Sequence, residues 1–417
     1  MFRVRLLILA LCLLPVGCAR ETREARSAGL VRQGNAFYQQ QDYERALSCF
    51  FSAVHVNSQS FDAYFGKATT LTRLGRHQEA LASYNKAVQL RPGSYDAHLD
   101  QAHALFMLGR YREAIASDEA AIGVRPTEPA GYVAKGLALG GLGDFAEAAL
   151  YYDRAAQLAP DCFDAYVGLA GALGQVGRTK EGLAAAERAR QLRPRSAQGY
   201  YSKGFVLTQA KRYEAALACF ARALQADPKY LDAYFGKASA LTGMKQYGPA
   251  SEVYRRIILL SPENWQAFYQ RGLVQEALGQ QQAALNSFSR ALFLAPTKVE
   301  VSYAMGRALV EAGRAEEALA YLDRAIKLDP KRCDAYLTKG KALLELKRFA
   351  EAARSYDTVV RNRPKEPLAY YGRAKAYLQL GKQSEARADL RQAVALDPSL
   401  RPQLDRDPAL SKLLTEK

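Results

Sequence analysis

Ten prolines, Pro92, Pro126, Pro160, Pro194, Pro228, Pro262, Pro296, Pro330, Pro364 and Pro398, stand 34 residues apart with no insertion or deletion between them. Domains joined by linkers do not keep one register over such a length, so the chain is a repeat array. With each proline at position 32, eleven repeats start at Ser27, Phe61, Tyr95, Pro129, Phe163, Ala197, Leu231, Trp265, Val299, Cys333 and Pro367 and cover residues 27–400. Ser58 takes the proline's place in the first. Position 8 is always Gly or Ala, position 20 is Ala except for Gly182, and position 27 is Ala except for Ile257 and Val359. Position 4 is Tyr in seven repeats, and position 24 is aromatic in seven.

These periods predict an all-α fold. Positions 4, 8 and 11 share one helical face and positions 20, 24 and 27 another, so each repeat reads as two antiparallel helices. Gly near position 15, as in Leu74-Gly75-Arg76, supplies the turn, and proline at 32 stops the second helix. One repeat cannot bury its apolar face alone, and stability comes from stacking. The 49% hydrophobic content excludes a disordered chain of this length and is explained by those stacking positions.

Runs such as Ala63-Tyr64-Phe65-Gly66-Lys67-Ala68, Glu79-Ala80-Leu81 and Ala87-Val88-Gln89-Leu90-Arg91-Pro92 resemble the tetratricopeptide repeat. The resemblance implies a right-handed α-α superhelical solenoid of eleven helix-turn-helix repeats, with the first helix of each lining a concave groove. Residues 401–417 break the pattern. Asp407-Pro408 reads as a helix start, followed by Leu410, Leu413 and Leu414 on one face, and the segment is expected to cap the last repeat.

Residues 1–17 read as an export signal: Arg3 and Arg5, then an apolar run of about ten residues, too short to span a bilayer. Leu14-Pro15-Val16-Gly17-Cys18 resembles a bacterial lipobox, although Pro15 stands where an aliphatic residue is usual. The resemblance implies lipidation at Cys18, a tether over 18–26, and a membrane-anchored protein of the bacterial envelope facing the periplasm or the exterior. Cleavage after Ala19, releasing a soluble periplasmic protein, is the competing reading. Cys49, Cys162, Cys219 and Cys333 have neither disulfide nor zinc spacing.

No catalytic, cofactor or metal constellation emerges, and the chain reads as a non-enzyme. Gly66-Lys67, Gly236-Lys237 and Gly340-Lys341 are each followed by Ala, so none is a phosphate loop. The third repeat is the chemical exception: His98 and Asp118 replace the position-4 Tyr and the position-24 aromatic, and a hydrogen bond between them is expected, with His103 nearby. Extra helix glycines, Gly140, Gly141, Gly168, Gly171 and Gly174, predict a soft centre, or else a close approach by ligand or backbone.

The resemblance assigns positions 2, 5, 9, 12 and 13 to the groove. Position 5 carries Phe65, Tyr201, Phe235, Tyr269, Tyr303 and Tyr371, and position 9 turns basic at Arg307, Lys341 and Lys375. These nine are the candidate partner-binding residues, an aromatic floor with charge at one end, suited to proteins or peptides. No three consecutive repeats supply the Lys and Asn positions of the family's two-carboxylate clamp, and only Asn35 occupies such a place. Nucleic acid and small-molecule substrates are not expected. The formal charge of +16, from 58 Lys and Arg against 42 Asp and Glu, supports a second reading: binding of anionic envelope polymer or lipid headgroups.

Overall fold

A computed structural model describes residues 15–406 and 408–415, with side chains from residue 23 onward except at 403, 405, 408 and 415. The leader up to residue 14 lies outside the described residues, as does the side chain of Cys18. Among the described residues the chain is helical, without strands, and no helix is long and apolar enough to cross a membrane.

Every repeat places its first helix at positions 1–13 and its second at 17–30, as in Phe61–Arg73 followed by His77–Leu90 and Cys333–Glu345 followed by Phe349–Asn362. Two repeats depart: Pro129–Leu142 runs one residue further, and the first helix of the array starts at Pro15 and ends at Gln39. The stretch expected as a tether at 18–26 is therefore helix, continuous with the first repeat.

Local chemistry sets these boundaries. Ser60, Ser94 and Asn264 each accept a hydrogen bond from the backbone N–H three residues on, capping the first helix of their repeats. At position 16 an arginine instead holds the position-19 glutamate of the helix it precedes, as Arg76 holds Glu79 at 2.8 Å and Arg314 holds Glu317 at 2.7 Å. The turn residue at position 15 has a left-handed backbone in every repeat. Gly fills it in seven, including Gly75 with φ +73°, and Gln41, Lys211, Lys245 and Lys347 fill the other four. A lysine there carries the steric cost that glycine avoids.

The chain falls into two compact bodies, up to Asp227 and from Pro228. Within each, every helix packs on its neighbours in sequence, and first helices also touch the first helix of the next repeat. The core sits on position 24. Phe50, Tyr84, Phe220 and Phe288 are wholly buried there. The small residue at position 8 makes room within the repeat: a methyl group on Gly136 would stand 3.0 Å from the Tyr152 ring, and one on Gly272 would stand 2.5 Å from the Phe288 ring. Where position 6 of the following repeat is also Gly, as at Gly66, Gly168 and Gly372, a methyl group would overlap the preceding ring. The position-4 side chain closes the joint, with Tyr132, Tyr234 and Tyr370 donating to the carbonyls of Pro126, Pro228 and Pro364 at 2.9, 3.2 and 3.1 Å.

Charge ties the repeats as well. Lys135, Lys203, Lys339 and Arg373, all at position 7, pair with Glu119, Glu187, Asp323 and Asp357, all at position 25 of the repeat before. In the last repeat Arg373 also bonds Asp389 through two nitrogens at 2.8 Å, which raises the guanidinium pKa further. Beyond it, Leu404, Leu410 and Leu413 are buried against Ala374, Ala386 and Leu390.

The five central glycines divide into two classes. Gly141, Gly168 and Gly174 are sites of close approach, where a methyl group would meet Tyr111, Tyr152 and Val206 respectively. Together with Gly182, Gly174 lets Val206 bring the first helix of the sixth repeat, Ala197–Gln209, against that of the fifth, Phe163–Gln175. Gly171 faces open space, and a methyl group on Gly140 would stand 4.0 Å from the Phe145 ring, an ordinary contact. Packing accounts for three of the five. Gly168→Ala should therefore destabilise the protein by about 1–3 kcal/mol through overpacking, while Gly171→Ala should stabilise it by about 0.8–1 kcal/mol through helix propensity. Urea unfolding of the two variants beside the wild type reads both signs.

Candidate functional site

The first helices carry positions 5 and 9 on one exposed face, and the position-5 aromatics lie half-buried over the position-24 core. Phe65 meets Tyr84 at 6.1 Å between ring centroids, Tyr201 meets Phe220 at 6.0 Å, Phe235 meets Tyr254 at 6.2 Å and Tyr269 meets Phe288 at 6.1 Å. Edge-on and tilted contacts of this kind contribute about 0.5–1.5 kcal/mol beyond area burial. These four residues roof the core and offer a partner only one side of each ring. Burial pushes the Tyr254 and Tyr84 hydroxyls up to about 12, so both stay neutral. Tyr303 is half-buried, with the Arg332 guanidinium 4.6 Å from its ring centroid.

The basic end of the stripe is not uniform. Arg307 is held by Glu276 at 2.6 Å and Glu311 at 3.5 Å. The Glu276 carboxyl is raised by burial and brought back partly by that arginine. Arg307 is thus committed within the molecule. Lys341 and Lys375 differ: among the described residues neither has a carboxylate within ion-pair distance. The Lys375 ammonium sits 5.0 Å from the centroid of Tyr371.

Lys341, Tyr371 and Lys375 meet in one cleft of about 380 Å³ between the first helices of the tenth and eleventh repeats, Cys333–Glu345 and Pro367–Gln379. Leu337, Leu344 and Leu368 supply its apolar wall, and Leu368 is half exposed. Of the nine groove residues expected from sequence, this cleft gathers three. Leu337, Leu344 and Leu368 were absent from that set, although they stand at positions 5, 12 and 2, which the resemblance assigns to the groove.

The helical pairs, their fixed 34-residue register and the small-residue joints now define the architecture. A tetratricopeptide repeat model matches residues 31–95, 133–197, 169–230, 303–367 and 337–400, and a second model of the same repeat matches 71–128 and 207–271. The chain belongs to the tetratricopeptide repeat family. That repeat is commonly a protein–protein interaction scaffold. Similar solved structures include yeast Tom70, with 16% identity over 95% of this chain and 100% of that one and a TM-score of 0.46. Another is the APC/C hetero-tetramer Cut9–Hcn1, with 13% identity over 93% and 96% and a TM-score of 0.42. A third is YrrB, titled a TPR protein with an unusual peptide-binding site, with 25% identity over 45% and 96% and a TM-score of 0.40. Among curated proteins none matches.

The third tetratricopeptide repeat corrects an expectation. His98 and Asp118 do not bond each other. His98 Nε2 lies 2.8 Å from the Pro92 carbonyl, the same joint that Tyr makes in other repeats, and its Nδ1 has no partner. The Pro92 carbonyl is thus the ring's hydrogen-bond partner in place of Asp118. Asp118 is 1% exposed, and its Oδ1 is unpartnered. Burial pushes its carboxyl up to about 8, opposed by Lys135 and assisted by Glu119. His103 stands beside His77, with ring centroids 6.5 Å apart, and burial lowers its pKa. Among the described residues no three His, Cys, Asp or Glu side chains are grouped to hold a metal.

A carboxyl whose pKa rises from 3.8 unfolded to about 8 folded binds its proton more tightly in the folded chain. Its contribution to stability is complete below the lower value and is lost as pH rises through the upper one. Asp118→Asn should therefore unfold at higher urea than the wild type at pH 8. The two should converge as pH falls toward about 4. Paired urea titrations across that range test the assignment.

Proposed function

We propose that this protein is a non-catalytic scaffold that holds protein partners against the first helices of its repeats, and that the cleft at Lys341, Tyr371 and Lys375 takes an acidic peptide segment with apolar anchors. The observation that carries this reading is the pair of lysines without carboxylate partners over a leucine and tyrosine floor. Other cations of the same two repeats are spent on neighbouring acids: Lys339 on Asp323, Arg363 on Asp334, and Arg373 on Asp357 and Asp389. A ligand carboxylate would complete the local charge, while its apolar side chains would cover Leu344, Leu368 and the open side of Tyr371. The remaining aromatics of the stripe act as a half-exposed bed for extended chain on either side.

We further propose that the chain is exported and held at a bacterial membrane through a lipid on Cys18. The sequence around Cys18 supports this, and the short helical stretch ahead of the first repeat would keep the array near the membrane face.

Two measurements test these readings. A Glu-rich peptide with interspersed leucines should bind the wild type saturably. The double variant Lys341→Glu, Lys375→Glu should bind it at least roughly tenfold more weakly, from two charge pairs reversed at a partly exposed site. Equal affinity for both proteins would refute the cleft. For the anchor, Cys18→Ala should move the protein from the membrane fraction to the soluble fraction of its cells.

A further inference from the structure

Position 26, on the second helix of each repeat, is arginine in six consecutive repeats: Arg154, Arg188 and Arg222 in the N-terminal body, and Arg256, Arg290 and Arg324 in the C-terminal body. Arginines at position 16 are locked onto glutamates where position 19 supplies one, as Arg76 is onto Glu79 and Arg348 onto Glu351. Among the described residues none of the six at position 26 has a carboxylate within ion-pair distance. Their polar contacts are neutral: Arg188 and Arg324 donate to the carbonyls of Pro160 and Pro296, and Arg222 donates to Gln225. The one acid a helical turn away, Glu252 beside Arg256, is taken by Arg255 at 2.7 Å.

In the C-terminal body this basic row coincides with a second departure. Position 29 is polar, charged or small in every other repeat, but in the seventh and eighth it is Leu259 and Phe293. These are 61% and 74% exposed, and Phe293 is the most exposed large apolar side chain among the described residues. Each lies three residues after an arginine and therefore on the same helical face, Leu259 with Arg256 and Phe293 with Arg290. The Arg290 guanidinium rests 5.0 Å from the Phe293 ring centroid. Asn286 and Lys327 add no negative charge to this face.

We infer that the second-helix face of the seventh and eighth repeats, carried by Tyr247–Leu260 and Gln281–Leu294, docks on an anionic lipid bilayer. Charge complementarity selects an anionic partner, since the guanidinium forks of Arg256 and Arg290 match phosphate oxygens and have no internal acid. The apolar pair selects the bilayer: Leu259 and Phe293 enter the headgroup boundary while the arginines keep their heads at the phosphates. A hydrophilic polyanion would satisfy the arginines and leave both apolar side chains in water. This face is separate from the cleft at Lys341 and Lys375, so either assignment stands or falls without the other.

The test uses the full chain with a fluorescent reporter at the contact. Trp265 is the only tryptophan, so Trp265→Phe combined with Phe293→Trp leaves one reporter on this face. Its emission should shift to the blue, and brominated acyl chains should quench it, on vesicles of phosphatidylcholine with phosphatidylglycerol, but not on phosphatidylcholine alone. Adding Arg256→Gln and Arg290→Gln should weaken that partitioning roughly fivefold per arginine, with helical content unchanged. Because the reporter senses position 293, attachment through the N-terminus alone gives no signal. A reporter that stays in water on anionic vesicles overturns the inference, as does quenching indifferent to the arginines. Dextran sulfate binding by the wild type that is undiminished in the Leu259→Ser, Phe293→Ser variant, together with no vesicle quenching of the reporter protein, would assign the face to a polymer and also overturn it.

Discussion

The side chain at position 24 and the space cleared around it carry the fold. Phe50 and Tyr152 each lie between a small residue at position 8 of their own repeat and a glycine at position 6 of the next. A ring that fills the gap between two helices can be accommodated only if neither facing backbone carries bulk, so the small residues are as necessary as the large ones. At Phe50, Tyr152 and Tyr356 this contact is made both within the repeat and across the joint to the next, which couples those neighbours. Gly141, Gly174 and Gly182 extend the same logic to other rings and to Val206, and the glycine-rich middle is closely packed rather than merely short of helix propensity.

Electrostatics follows the packing. Repetition brings position 7 beside position 25 of the preceding repeat and position 16 beside position 19, so a basic residue at position 7 or 16 is paired where that register supplies an acid, as at Lys135 with Glu119 and Arg76 with Glu79. Where exposed, such pairs each contribute little to stability. Their consequence lies in the residues that escape them. Lys341 and Lys375 at position 9, and the arginines at position 26, have no acid within ion-pair distance among the described residues, whereas Arg307, also at position 9, is taken by Glu276. Within the C-terminal body two separate clusters, the lysine cleft and the face of Arg256 and Arg290, are left uncompensated against a formal charge of +16 for the chain. Asp118 is the reverse case: a carboxyl placed where the register supplies a ring slot, buried without a hydrogen-bond partner for one oxygen and neutral near pH 7 as a result.

Much of this was legible in the sequence. The helix limits follow from the turn residue at 15 and the proline at 32, and the 34-residue register shows through even where Lys211, Lys245 and Lys347 take the left-handed turn in place of glycine. The groove was less legible. Position 5 was read as a binding floor, and four of its aromatics spend one face on the core because helical geometry sets positions 5 and 24 in contact. Arg307 reads like Lys341 and Lys375 in register, yet Glu276, one repeat earlier, captures it. The partner of His98 was misassigned because Asp118 is the only other polar departure in that repeat, whereas a backbone carbonyl leaves no mark in a sequence.

By itself the sequence determined the repeat, its length, its helical pairs and its family, because each rests on local spacing and on residue size at fixed positions. The tertiary structure alone decided which charges remain uncompensated, which glycines face a ring and which face open space, and which candidate residues share a cleft. Those outcomes depend on distances between side chains in different repeats. A periodic sequence gives every repeat the same neighbours in principle, and only the folded chain shows which of them are within reach.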